Sequence, residues 1–171
     1  MSTITTTLPI LEALDFVPPG GHSLAAWNDL LPEPPAPVAS YVPATMAGNL
    51  LYTAGCLPSR NGQVLYEGAM GGFAIPLEHG QKAARLCAIN CLSIIKANLG
   101  HLGRVKQVVK VTGYVSSVAS FTDQPKVLNG ASDFLVQVFG EPVGRHARAA
   151  VGVVALPLNA SVEVDLVVLF E

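Results

Sequence analysis

Charged side chains are scarce in this chain. They make up 13% of its 171 residues, half of which are apolar, and the formal net charge is −2. The densest basic stretch contains only Arg104, Lys106 and Lys110. A nucleic-acid-binding protein usually carries a basic stripe that follows the phosphates. The charge pattern therefore argues against nucleic acid as a partner.

The low charge also limits how much surface the chain can cover with polar groups. A chain of this length fits a single domain with a sizeable core. Its polar side chains are too few to cover all of that domain comfortably. We therefore predict that part of the surface is buried in an oligomer, with an unusually large core as the alternative.

Cysteines are few and odd in number, and long hydrophobic runs are absent. Cys56, Cys87 and Cys91 show no disulfide spacing, which indicates a reducing compartment. Cys87 and Cys91 lie one helical turn apart with no further ligand at a suitable spacing, so they read as core residues and no metal site is predicted. No apolar run approaches the roughly 20 residues of a membrane helix, and the N-terminus lacks signal-peptide features. These features predict a cytoplasmic protein.

Proline is concentrated near the N-terminus. Residues 9–14 could form a short helix, residues 18–21 break it, and residues 32–37 contain four prolines that favour an extended connection. We interpret residues 1–35 as an arm with a Pro-rich linker that lies over a domain of residues 36–171, anchored by Trp27. A peptide-docking motif is the alternative interpretation of the prolines.

The domain itself alternates strand and helix patterns. Predicted elements are a strand over 49–56, a hairpin turn at Asn61 and Gly62, a helix over 77–99 and a strand over 105–117. Asn129 and Gly130 would also suit a hairpin, but apolar residues around them follow helical spacing between a proline in the first turn and Gly140. Two strands over 148–154 and 161–170 complete an α+β order. It predicts a mixed sheet with both helices on one face.

Two positions on the last strands could support chemistry. Glu163 and Asp165 share one face of the final strand, roughly 6.6 Å apart along it, either at a solvated strand end or in a site that partners them. Arg148 opens the preceding strand, where a guanidinium could hold a carboxylate through two parallel hydrogen bonds or lie on the surface. His146 is interpreted as a solvated loop residue, with a catalytic role as the alternative.

Several segments together resemble a known family. They are RAAVGVVALP (148–157) followed by VEVD (162–165), TAGCLP (53–58), the strand over 108–115, the helix that contains Asn129, and Tyr41. Over residues 36–171 the chain resembles the RidA/YjgF family of enamine and imine deaminases, which are often labelled L-PSP endoribonucleases. The sequence differs from many members by Cys56 in place of Gln, and by Ala149 and Ala150 after the arginine.

The resemblance implies a chorismate-mutase-like (YjgF-like) fold, assembled as a homotrimer with ligand clefts between subunits. It implies that Arg148 holds the substrate carboxylate and that Glu163 handles the attacking water. It also implies a cleft lined by Tyr41, Gly55, Cys56 and Asn129, with no cofactor and no metal.

Three functions follow from the resemblance. The first is hydrolytic deamination of small 2-imino or enamino acids. The alternative is a non-catalytic trimer that binds small carboxylic acids such as 2-keto acids for sensing or regulation. Ribonuclease activity is a third hypothesis, which the lack of a basic patch disfavours.

Overall fold

The computed structural model describes residues 23–37, 39–72 and 75–171 of the chain. Its helices are α1 (Leu24–Leu30), α2 (Leu77–Leu99) and α3 (Gln124–Phe139), with 3₁₀ turns at Leu102–Arg104 and Pro157–Asn159. Its strands are β1 (Ala44–Ala47), β2 (Leu50–Thr53), β3 (Ser59–Arg60), β4 (Gln63–Val64), β5 (Val105–Ser116), β6 (Ala147–Val153) and β7 (Val162–Phe170). None of the helices in this described part is long and apolar enough to span a bilayer.

The strands form a mixed sheet, as predicted. Five of them lie in the order β1-β2-β7-β5-β6, and β3 and β4 form a separate ribbon. β5 and β6 run parallel, whereas the other neighbours in the main sheet are antiparallel. The α3 helix provides the crossover that a parallel pair requires between β5 and β6.

The two faces of the sheet have different chemistry. On β7, Val162, Val164, Leu166 and Val168 are fully buried and belong to the core formed with α2 and α3. We call this side the helix-covered face. The alternate residues Glu163, Asp165, Val167 and Leu169 are half-buried on the opposite side, the open face. The predicted alternation along the last strand is confirmed, and both long helices pack on one face.

The predicted helix over 77–99 is confirmed at both ends. Its buried residues are mostly Ala, Leu, Ile and Cys, which pack against the sheet and α3. Cys87 and Cys91 are fully buried free thiols, as the core interpretation predicted. Gly100 ends the helix at φ 87°, and its amide bonds the carbonyl of Lys96. Glycine occupies this left-handed conformation at little steric cost.

The α3 helix confirms the helical interpretation of the Asn129–Gly130 pair. Gly130 serves packing here and not a turn. A Cβ added at this position would lie 2.0 Å from the backbone carbonyl oxygen of Gln81 on α2. The pair signals a hairpin by its composition, but the close approach of two helices explains the glycine equally well.

Gly130→Ala should destabilise the protein by more than about 2 kcal/mol, because backbone atoms of α2 and α3 would have to separate. This corresponds to a fall in Tm of roughly 4–8 °C for a chain of this size. Thermal unfolding followed by circular dichroism measures it. Gly103→Ala is the matched control, since its Cβ would meet only the movable ring of His101 at 3.0 Å. Equal effects of the two substitutions would contradict the packing explanation.

The described part of the arm packs on the body. Trp27 in α1 is 0% exposed, and its ring meets that of Phe134 edge-on with centroids 5.4 Å apart. Ser23 caps the helix by accepting a hydrogen bond from the amide of Ala26. The predicted anchoring role of Trp27 is confirmed, although the α1 helix around it was not predicted. The predicted helix over 9–14 lies outside the described residues.

The first strand region differs in detail from the sequence prediction. The pattern over 49–56 predicted one strand, whereas regular strand structure ends at Thr53 and only an isolated bridge joins Cys56 to Val164. The preceding strand β1 was not predicted. The hairpin turn at Asn61 and Gly62 is confirmed, with φ of 49° and 79° between β3 and β4.

Candidate functional site

The guanidinium of Arg148 is held against the α3 helix. Arg148 pairs with Val111 in the sheet, and Val111 pairs with Leu166, so Arg148 lies on the helix-covered face at its edge. Its Nη1 donates to Asn129 Oδ1 and to Ser132 Oγ, both at 3.0 Å. The structure therefore brings together Arg148 and Asn129, two of the predicted site residues, and fixes the plane of the guanidinium.

A directed series of hydrogen bonds continues from Ser132. Its hydroxyl lies 3.0 Å from Nε2 of His146, and Nδ1 of His146 lies 2.7 Å from the carbonyl oxygen of Gly144. A carbonyl only accepts, so Nδ1 must carry the hydrogen. Nε2 of the neutral ring is then an acceptor, and the Ser132 hydroxyl donates to it. Burial lowers the pKa of His146, opposed by the Gly144 carbonyl and reinforced by Arg148.

These groups surround an open cavity of about 470 Å³. Its lining residues are Ser132, Asp133, Val136, Glu141, Arg145, His146 and Arg148. Arg145 and Glu141 form an exposed ion pair at 2.5 Å, which leaves Arg148 as the cation oriented by neutral hydrogen-bond acceptors. A small anion would find a prearranged guanidinium here.

A pair of carboxyl groups occupies the open face. The pKa of Glu163 is raised first by burial and then by the nearby charge of Asp165. Burial also raises the pKa of Asp165, although hydrogen bonds from Tyr114 and Thr112 and the charge of Lys110 oppose the shift. The prediction that the two share a face is confirmed. Both causes at Glu163 raise its pKa, whereas hydrogen bonds and a positive charge oppose the shift at Asp165.

Glu163 lies directly over Gly55. A Cβ at Gly55 would fall 1.8 Å from Glu163 Oε1, so only glycine allows the carboxylate this position. Gly55, Cys56 and Tyr41 also line a groove of about 750 Å³, whose other wall includes the prolines of the arm. Cys56 is only 2% exposed, and its thiol is directed to the carbonyl of Ala54. The groove thus brings together three further predicted residues, next to Glu163.

The predicted residues therefore form two groups in one chain. Arg148 and Asn129 lie on the helix-covered face, whereas Glu163 lies on the open face, two strands away, paired with Tyr114. Residues on opposite faces of a sheet cannot contact one substrate molecule. A site that uses both must combine groups from two copies of the chain.

Two residues of the Arg148 group were missed or misjudged from the sequence. His146 was interpreted as solvated, but it is half-buried with both ring nitrogens bonded. Ser132 was not identified, although it follows Asn129 by three residues and so shares its helix face. The i, i+3 spacing from Asn129 is therefore the sequence signal for Ser132.

The raised pKa values predict how stability depends on pH. When folding raises the pKa of a carboxyl group, the protonated group stabilises the folded state at pH values below its unfolded-state pKa, which is near 4. This stabilisation is lost as the pH rises through the higher pKa of the folded state. Removing the two charges should therefore stabilise the protein at pH 7.5. We expect Glu163→Gln with Asp165→Asn to raise Tm by roughly 2–4 °C at pH 7.5.

Thermal unfolding at pH 7.5 and pH 4.5 tests this expectation, and the gain should shrink at the lower pH. Glu141→Gln is the control, because its carboxylate is exposed and paired with Arg145. A double variant that is less stable than the wild type at pH 7.5 would show that the carboxylates are stabilised when charged.

Known proteins are similar to this chain in sequence and in fold. A family model described as "YjgF/chorismate_mutase-like, putative endoribonuclease" matches residues 22–171. TCP17 from Trypanosoma cruzi is 47% identical over 138 residues, which cover 81% of this chain and 86% of that protein. The crystal structure of Atu1372 from Agrobacterium tumefaciens, described as of unknown function, is 44% identical with a TM-score of 0.76. The similar region covers 86% of this chain and 90% of the Atu1372 chain.

A third similar protein is named as a RidA. The crystal structure of RidA from an Antarctic Psychrobacter is 27% identical, with a TM-score of 0.57, covering 81% of this chain and 94% of its own. The sheet order, the two long helices and the closing strand motif agree with these similarities. The chain has the chorismate-mutase-like α+β fold and belongs to the RidA/YjgF family.

Proposed function

We propose that this protein is a cofactor-free hydrolase that deaminates small 2-imino or enamino acids in the cytoplasm. The observation that carries the proposal is the fixed guanidinium of Arg148, whose Nη1 is bonded to Asn129 and Ser132 while no other residue in the described part of the chain bonds its remaining nitrogens. Such a group suits a carboxylate through two parallel hydrogen bonds. Every 2-imino acid carries that carboxylate beside its reactive carbon.

Glu163 would supply the acid–base chemistry. Its raised pKa brings proton exchange closer to neutral pH, which suits a group that takes and returns protons. The carboxylate removes a proton from water as the water oxygen bonds the imine carbon and the C=N electrons move to nitrogen, which receives that proton from Glu163. The carboxylate then moves the hydroxyl proton of the carbinolamine to nitrogen. A C=O bond forms as the C–N bond breaks, and ammonia and a 2-keto acid are released. Atoms and electrons balance with water as the sole co-reactant.

The proposed reaction requires more than one copy of the chain. Arg148 and Glu163 lie on opposite faces of the sheet, so a complete site would pair Arg148 of one subunit with Glu163 of another. The open face also exposes apolar side chains such as Tyr52 and Val151 beside the carboxyl groups. Burial of that face against other copies would agree with the homotrimer that the resemblance implies.

Ammonia release from 2-iminopropionate, generated in situ, tests the proposal. Wild type should accelerate release well above the buffer rate, and Arg148→Ala should remove the acceleration. Absence of acceleration by a protein that still binds pyruvate through Arg148 would favour the second candidate, a non-catalytic binder of small carboxylic acids. The Arg148 cavity supports that candidate equally, since binding needs no acid–base group.

A further inference from the structure

Ser132 and His146 have hydrogen bonds that the binding of a carboxylate by Arg148 does not require. Arg148 uses Nη1 for Asn129 and Ser132, and within the described residues no hydrogen bond uses its Nη2 or Nε. These two nitrogens are the donors left for a ligand. The Ser132 hydroxyl lies in the same cavity, yet its hydrogen is directed to His146 in the neutral ring.

Protonation of His146 would reverse that hydrogen bond. Nδ1 continues to donate its hydrogen bond to the Gly144 carbonyl, while Nε2 gains a hydrogen and becomes a donor to Ser132 Oγ. The serine oxygen can accept from both Arg148 and His146, because a hydroxyl has two lone pairs. Its own hydrogen is then free to donate into the cavity. One proton thereby adds both a positive charge and a third donor beside the guanidinium.

The charges around His146 make its protonation sensitive to a bound anion. The charged side chains that line its cavity are Asp133 of α3, Glu141 and Arg145 of the loop before β6, and Arg148 of β6. β5 contributes the uncharged Val111 and Gly113 on this face. Glu141 and Arg145 pair with each other, and Arg148 is the charged group that opposes protonation of His146 by lowering its pKa. A carboxylate bound to Arg148 would offset that repulsion.

We propose that Ser132 is a ligand-binding residue of a proton-linked anion site and that His146 is the residue that positions its hydroxyl. Binding of a small carboxylate at Arg148 takes up one proton at His146 and turns the Ser132 hydroxyl to the ligand. The inference deepens the proposed function, because it relies on Arg148 as the carboxylate anchor but not on turnover. By linkage, the affinity for the anion rises as pH falls through the range in which His146 titrates.

Calorimetric binding of pyruvate between pH 5.5 and pH 8.5 tests the linkage, since this carboxylate stays ionised throughout. We expect wild type to bind several-fold more tightly at pH 5.5 than at pH 8.5, with about tenfold as the upper bound that one unit of pKa shift allows. His146→Gln should lose this increase, and Ser132→Ala should keep only the part that comes from the positive charge of the imidazolium. Any pH dependence of pyruvate affinity that remains in His146→Gln comes from other titrating groups, such as Glu163 and Asp165.

A second readout observes the histidine directly. The Cε1 proton of His146, assigned by its absence from the His146→Gln spectrum, should titrate about one unit higher when pyruvate is bound. Equal pH slopes in wild type and His146→Gln, with an unmoved titration, would overturn the proton linkage while leaving the Arg148 anchor intact. Pyruvate binding that is absent, or unaffected by Arg148→Ala, at every pH would overturn the anchor and the linkage together.

Discussion

Arg148→Lys should reduce kcat/KM for 2-iminopropionate by about 100-fold, although it keeps the positive charge. A lysine ammonium cannot present two parallel donors, and it cannot reproduce the planar arrangement that Asn129 and Ser132 hold in place. Affinity for pyruvate should fall with it. Steady-state ammonia release and calorimetry measure the two effects on the same preparation.

Arg145→Lys is the matched control for this substitution. Arg145 lines the same cavity, but its guanidinium is paired with Glu141 and exposed. Its replacement should change kcat/KM by less than about twofold, as expected of an exposed ion pair. Full activity in Arg148→Lys would mean that a positive charge alone is sufficient to bind the carboxylate, and would contradict a role for the guanidinium geometry.

Glu163→Gln should lower kcat by about 10²–10⁴, the usual contribution of a positioned acid–base group. Pyruvate affinity should stay within about threefold of wild type or tighten slightly, because the substitution removes a negative charge near an anion. The separation of kcat from affinity distinguishes the deaminase from the carboxylate-binding protein. Rapid-quench measurement of ammonia and calorimetry together give both quantities.

Asp165→Asn is the control for the effect of charge alone. Asp165 lies on the same face, two residues away, but hydrogen bonds from Tyr114 and Thr112 hold its carboxylate. We expect a loss of less than about tenfold, since this carboxylate has its own partners and is not assigned the proton transfer. Similar losses in both variants would indicate a shared electrostatic effect, and undiminished turnover in Glu163→Gln would remove the proposed base.

Local sequence signals predicted most of the fold. The bounds of α2 follow from its composition, rich in Ala, Leu and Ile, with Glu78 near the start and Gly100 after the end. The alternation along β7 follows from period-two spacing over nine residues. α1 escaped prediction because it is seven residues long and lies between proline clusters. β1 has four residues and little burial, so its place comes from pairing with β2, which local sequence does not encode.

The site was predicted less completely than the fold, for a physical reason. Arg148 and Glu163 were identified from the family resemblance. The spacing of Ser132 from Asn129 places the two on one face of α3, but it does not predict the contact of Ser132 with Arg148 on β6. Sequence spacing relates residues within an element, but the contact of Ser132 with His146 crosses between elements. The separation of Arg148 and Glu163 by the sheet likewise depends on strand order, which the chain order β5, β6, β7 does not reveal.

Complementation between inactive variants tests most directly whether the site is shared between subunits. Arg148→Ala and Glu163→Gln would be unfolded together, refolded as a 1:1 mixture and assayed for ammonia release. If each site takes Arg148 from one subunit and Glu163 from another, about a quarter of the sites regain both residues by random assembly. We predict activity near that fraction of wild type. Activity no greater than the average of the separately refolded variants, with mixed assembly verified by mass spectrometry, would contradict the shared site.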